Sequence, residues 1–332
     1  MRRVFVLVGI IVIGAAVMVA AQQEPGRGGG GGRGSGGGRG SGRGAAPIQL
    51  QIERVRPGIY QIPIFNQSVA PGATTTVFVT QNHGVVVVDT KNPGSGQAII
   101  DIIKKVTDKP ITTIINTHTH NDHVGGNLAF DDKVEVVAQE NTLGYMKKLA
   151  QYKDDKPENR HGLPGKTFKD KMTLFEGPDA IDLYFFGPAH TGGDAFIVFR
   201  NQKVMAAGDV DPATGTPIID PDNGGSGLLW GQTIAKAAAG IKNVDVITRG
   251  HTSQTDNWAQ FIEYGQYMQA YANATRQAKK DGKTLDQAIM DIPMMMGAKW
   301  KDYFAGLSGR NPGTRANVTM MWAELDKEAP KK

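Results

Sequence analysis

The sequence predicts an α/β fold in which two β-sheets pack face to face with helices on the outside. Three observations carry that expectation. Strand-like runs come in two batches, each followed by helical periodicity. Strand-helix-strand passages sit between them. The earliest strands follow one another too closely for parallel crossovers, which argues against a doubly wound sheet.

"GIYQIPI" (58–64), "TTTVFVT" (74–80) and "GVVVVDT" (84–90) are rich in β-branched and aromatic residues and bounded by Gly, Pro and Asn, so they read as consecutive strands. "GSGQAIIDIIKKV" (94–106) spaces its apolar residues for one helical face. "ITTIIN" (111–116) and "VEVVA" (134–138) are short buried strands, and a helix follows near Asn141 to Tyr152. Residues 153–170 are polar and turn-rich and read as a surface loop. The second batch is "IDLYFFG" (181–187), "DAFIVFR" (194–200) and "KVMAAGD" (203–209). "LLWGQTIAKAAAGI" (228–241) is helical, "VDVITRG" (244–250) is a strand, and 257–280 is a long amphipathic helix with Trp258, Phe261, Ile262, Met268 and Tyr271 on one side. Trp230 and Trp258 are expected in the core, and "PMMMG" (293–297) reads as core filler. No repeat is visible at 20–50 residues.

The ends of the chain have a different character. Arg2 and Arg3 precede an unbroken apolar or glycine run from Val4 to Val19, and "VAA" (19–21) offers small residues to a signal peptidase. Residues 1–21 are therefore expected to be an export signal, with an uncleaved membrane anchor as the alternative; the protein is expected in the periplasm or outside the cell. Residues 22–47 follow as a linker, and its stretch from Gln22 to Gly44 holds 13 Gly and four Arg. Such a segment buries no apolar surface and is expected to be a disordered spacer. Residues 48–332 form the folded domain, with a helical extension at its C-terminal end.

The charge follows this division. The chain carries +5, and residues 1–47, with six Arg and one Glu, hold all of it. The remainder balances 31 basic against 31 acidic residues. The folded part is no candidate for a nucleic-acid partner on charge. Cysteine is absent, which excludes disulfides, thiolate ligands and a lipid anchor on cysteine. Asn-x-Ser/Thr sequons begin at Asn66, Asn273 and Asn317.

"NTHTHNDHVGGN" (116–127) places His118, His120, Asp122 and His123 within six positions, in a chain with seven histidines. In an extended loop side chains alternate, so His118 and His120 point the same way and can share a metal. Asp122 and His123 follow the turn of the chain toward a second metal. The spacing is not that of two histidines one helical turn apart. Further candidates stand at strand ends: His190 in "GPAHTGGD", Asp209 in "AAGD" and His251 in "RGH". His83 and His161 stand apart from this pattern. Imidazole and carboxylate donors suit zinc first, then iron or manganese.

These five motifs, in this order over roughly residues 50–255, resemble the metallo-β-lactamase-fold hydrolase superfamily. The resemblance implies an αββα four-layer sandwich of two mixed sheets flanked by helices. It also implies two metal ions, expected as Zn2+. His118, His120 and His190 would hold the first, Asp122, His123 and His251 the second, and Asp209 would bridge them. Asp122 and His251 are also the expected catalytic residues, Asp122 by orienting the attacking water. Asp89 in "VVVVDT" matches a position that supports the ligand loop from behind. β-Lactamases of this fold that use a thiolate place Cys where Asp209 stands. Asp209 is instead similar to the bridging carboxylate of glyoxalase II-like and lactonase-like hydrolases. The export signal and "LPGKTF" are similar to secreted members grouped with sulfur-oxidation and quinoprotein-relay proteins.

The expected activity is hydrolysis of a small ester, thioester, lactone or lactam, with two cations activating a shared water. The partner is a small-molecule substrate; a membrane enters only through an uncleaved N-terminus, and no spacing names an oligomeric state. The alternatives are a mono-iron oxygenase of the persulfide type and a non-catalytic binding module on an Arg-Gly stalk. Residues 63–75, 153–170 and 211–227 are the expected pocket loops.

Overall fold

Val85 to Val88 is four consecutive buried valines, and alternation divides them between two cores. Val86 and Val88 join Ile59, Phe78, Ile115 and Val137 in one cluster, whereas Val85 and Val87 join Ile99, Ile102, Ile103 and Ile114 in another. A strand buried on both faces needs a layer on each side. The computed structural model supplies both layers. It describes residues 48–63, 72–212, 217–300 and 312–328. The expected export segment, the Gly/Arg linker and Asn66 lie outside these residues.

The first sheet holds β1 (Glu53–Arg56), β2 (Ile59–Ile62), β3 (Thr75–Val79), β4 (Val85–Val88), β5 (Ile111–Ile115), β6 (Glu135–Gln139) and β7 (Lys166–Phe168), side by side in chain order. β1 to β4 pair antiparallel, as their short connections require, and β4 to β7 pair parallel. Helix α1 (Gly96–Ile103) makes the crossover between β4 and β5 and packs Ile99, Ile102 and Ile103 on the outer face. A single turn, α2 (Asn121–Val124), follows β5, and α3 (Glu140–Met146) follows β6.

The second sheet holds β8 (Lys171–Leu174), β9 (Ile181–Tyr184), β10 (Phe196–Phe199), β11 (Val204–Ala206) and β12 (Val246–Thr248), in the order β12-β11-β10-β9-β8. Only β11 and β12 run parallel, and α4 (Gly227–Gly240) lies between them in the chain. Ile197 and Phe199 face the first sheet, while Phe196 and Val198 face helices. α5 (Trp258–Lys280), α6 (Leu285–Met295) and α7 (Pro312–Glu328) complete that outer layer with α4. The layers are therefore helix, sheet, sheet, helix: the α/β sandwich of two mixed sheets that the sequence predicts.

Differences from the sequence reading have physical causes. β1, "ERVR", is an edge strand with three exposed residues and so lacks an apolar signature. β7 lies inside the stretch read as a loop, because an edge strand needs only one buried side. Trp230 is fully buried, and Trp258 is half-buried against the same core. Of the predicted core filler, Met296 is buried but Met294 is 77% exposed. The long helix α5 starts at a capping box in which Asn257 and Gln260 satisfy each other's backbone N–H. No helix among the described residues is long and apolar enough to cross a membrane.

Candidate metal centre

The ends of β5, β11 and β12, together with the β9–β10 connection, bring the predicted residues to one rim. His118 and His120 sit on the loop after β5. His120 then caps one helical turn, its carbonyl accepting from His123 N (2.9 Å) and Val124 N (3.0 Å). The sequence reading has no helix here; the turn is what separates Asp122 and His123 from the preceding pair. Asp209 lies on a 3-10 turn directly after β11, where Gly208 adopts φ +52° against Thr117. His251 follows β12 and donates its backbone N–H to Pro212 O at 2.6 Å.

The seven predicted residues form two groups. His118, His120, His190 and Asp209 make one; Asp122, His123 and His251 make the other. Within each, the candidate donor atoms lie within 4.8 Å of one another. Asp209 also links them: its Oδ2 is 3.5 Å from His190 Nε2 and 3.0 Å from His251 Nε2, and its Oδ1 is 3.2 Å from His123 Nε2. Asp122 Oδ2 is 3.4 Å from His251 Nε2.

Four imidazoles have their outer nitrogen tied up, which decides where the inner lone pair points. His120 Nε2 donates to Asp220 Oδ2 at 2.6 Å, leaving Nδ1 2.8 Å from His190 Nε2. His190 Nδ1 donates to Ile218 O at 2.6 Å. His123 Nδ1 donates to Asp89 Oδ2 at 2.7 Å. Thr117 spends its one hydroxyl proton on Asp89 Oδ2 at 2.7 Å and so accepts from His118 Nδ1 at 3.0 Å. Thr117 N also donates to Asp89 Oδ1 at 2.8 Å. Asp89 thus supports the ligand loop from behind, from a left-handed backbone position (φ +61°) that Asp tolerates better than most residues.

This arrangement fits a cation. His118 Nε2, His123 Nε2 and Asp209 Oδ1 are buried without a hydrogen-bond partner among the described residues; the 3.2 Å approach of the last two lacks hydrogen-bond geometry. Buried polar atoms left so cost about 1–3 kcal/mol each. Burial, with the neighbouring histidines, holds His118 well below the ordinary imidazole range. Burial brings His190 down to about 4. Both therefore keep lone pairs at neutral pH. Burial opposes ionisation of Asp209, but His123 and His251 hold its carboxyl well below the usual range. Burial also opposes charge on His123, yet Asp209 and Asp89 raise it well above 6.5.

Three supports escaped the sequence reading: Asp220, the Ile218 carbonyl and Thr117. No spacing connects residue 220 with residue 120, so only contact reveals the pair. The two remaining histidines are elsewhere. His83 pairs with Asp179 at 2.9 Å and stacks on Phe175, and His161 stands 3.3 Å from Leu128 O.

Two His/Asp groups on the rim of an αββα sandwich, joined through an ionised carboxylate, define a metal-dependent hydrolase for small substrates. The chain belongs to the metallo-beta-lactamase superfamily, whose family profile matches residues 69–264. It is 24% identical over 223 residues to Metallo-beta-lactamase type 2 of Elizabethkingia meningoseptica, covering 64% of this chain and 82% of that protein. It is 23% identical over 189 residues to Metallo-beta-lactamase IND-1 of Chryseobacterium indologenes, covering 56% and 73% respectively. Among solved structures, a metallo-beta-lactamase from Pontibacter korlensis superposes with TM-score 0.55 at 19% identity, over 67% of this chain and 99% of the other. The DIM-1 metallo-beta-lactamase gives 0.52 at 16% identity, over 66% and 98%. At these identities the structural likeness speaks to the fold.

Proposed function

We propose that the protein is an exported hydrolase with two metal ions, acting on a small ester, thioester, lactone or lactam. The observation that carries this reading is the pair of ligand groups joined through Asp209. A mono-iron site needs only one of them. His118, His120, His190 and Asp209 would hold one ion, Asp122, His123 and His251 the other, with Asp209 between. Zn2+ suits the donors best, and iron or manganese next. Bound there, the ions would supply Lewis acidity and lower the pKa of water toward neutrality.

The chain's own residues give the site a direction. His118 and His123 are fully buried, whereas the side chains of His120, Asp122 and His251 are 25%, 31% and 32% exposed. Solvent and substrate reach the centre from the side of these three. On that side Asp122 would accept a hydrogen bond from the attacking water and hold its lone pair toward the substrate. Asp209 in place of a thiolate supports a general hydrolase of the glyoxalase II-like kind over a dedicated β-lactamase. An export signal over 1–21 and a Gly/Arg linker over 22–47 would precede the folded domain, 48–332.

Elemental assay and a hydrolysis panel test the proposal together. About two zinc per chain and turnover of an ester, lactone or thioester are expected, with Asp122→Ala losing the second ion and at least a hundredfold in rate. One iron per chain with oxygen uptake would move the protein to the persulfide-oxygenase reading. Full metal loading with no turnover across the panel would favour a binding module.

A further inference from the structure

Helix α7 lies beyond residues 69–264, the part that matches the family profile. It nevertheless reaches the metal centre through one loop. Residues 217–227 carry Asp220, which fixes His120, and the Ile218 carbonyl, which fixes His190. The same loop is sewn to the His190 segment by its backbone: Asp220 N donates to His190 O at 3.0 Å, and Ser226 N to Ala189 O at 2.9 Å.

Both ends of this loop are held by α7. At one end the buried Asn317 Nδ2 donates to Pro217 O at 2.6 Å. At the other, Glu324 accepts from Gly227 N at 3.0 Å and from the Ser226 hydroxyl, while that hydroxyl caps α4. Asn317 and Glu324 are seven residues apart, so they share a helix face. Met321 lies between them on that face, and a Cβ on Gly227 would come within 2.6 Å of its Cγ. Asn317 begins a sequon, yet it is 2% exposed, so its side chain serves the fold.

We propose that α7 is a clamp for the first ligand group: Asn317 and Glu324 are positioning residues that set His120 and His190 through the 217–227 loop. This rests on the metal-centre reading above. The second group is held by other contacts, Asp89 on His123 and the end of β12 at His251, and none of these comes from the 217–227 loop.

The contrast between the two groups is the test. Zn2+ affinity is measured on the full chain by chelator competition in two backgrounds: His251→Ala, which isolates the first group, and His120→Ala, which isolates the second. Asn317→Leu and Glu324→Leu should each weaken Zn2+ about tenfold in the first background, the low end for losing an outer support of a ligand. They should leave the second background unchanged. The visible spectrum of the Co2+-loaded chain should shift in the first background alone. Glu324→Gln, which keeps an acceptor for Gly227 N–H, should recover most of the loss. Arg315→Ala, on the exposed side of the same helix, should change neither. Asn317→Ala reads the same contrast should leucine prevent folding. Equal weakening of both groups, or no weakening in variants that fold by circular dichroism, would overturn the clamp. A parent chain that takes up no Zn2+ in either background would overturn the metal centre itself, and the clamp with it.

Discussion

Asp220 and His120, one hundred residues apart, share a 2.6 Å hydrogen bond that turns the imidazole so that Nδ1 faces His190. The carboxylate stays ionised for this. Burial opposes its charge, but hydrogen bonds from His120 and Asn223 hold Asp220 well below the usual carboxylate range.

Asp220→Ala should therefore lower Zn2+ affinity roughly 10- to 100-fold while the chain stays folded. Asp220→Asn, which still accepts through its amide oxygen, should lose less. Chelator competition reads both, and an alanine variant with parental affinity would remove Asp220 from the site.

Gly250 is packed so closely on Asp209 that a Cβ would overlap Oδ1. Gly250→Ala should push the carboxylate out of place. Metal content should fall below one ion per chain, as elemental analysis would record. The neighbouring Thr252→Ala should retain both ions; it removes a methyl and the hydroxyl that accepts from Gln254 N, and leaves in place the carbonyl that accepts from Thr74.

Lys91 is fully buried, with Nζ donating to Ile62 O (2.9 Å) and to Ala73 O. Burial pushes its ammonium down to about 7, against partial support from Asp89 and Asp122. An unfolded lysine titrates near ~10.4. Between pH 7 and about 10 the unfolded chain therefore binds the extra proton, and stability rises with pH. Below pH 7 both states are protonated and the burial penalty is fully present. Urea unfolding at pH 6 and pH 9 should show the parent gaining on Lys91→Met as pH rises. A constant difference would return Lys91 to its ordinary range.

Metal should bind the folded chain far better than the unfolded one, since the donors come from residues 118 to 251. Zn2+ at about a thousand times its dissociation constant adds about 4 kcal/mol. For a domain of this size that is on the order of 10 °C in melting temperature. Calorimetry with and without chelator checks it; identical melting curves would sink the metal centre.

Much of this protein is legible in its residues alone. Hydrophobic alternation and helical spacing are local, so β3 to β6, β9 to β12, α4 and α5 can be read without contacts. The cluster of His118, His120, Asp122 and His123 is local too, and Asp89, His190, Asp209 and His251 stand at strand ends where a sheet exposes them. Weak patterns fail for an equally local reason: "ERVR" and Lys166–Phe168 are edge strands with little to bury. What tertiary structure alone decides is who supports whom. Asp220 behind His120, Thr117 between Asp89 and His118, and Asn317 on the loop beneath both depend on hydrogen bonds across up to a hundred residues. Such bonds form only after the sheets have packed, and a linear pattern carries no trace of them. The donor set is thus a property of the sequence, while its orientation, and with it the direction of every lone pair, is a property of the fold.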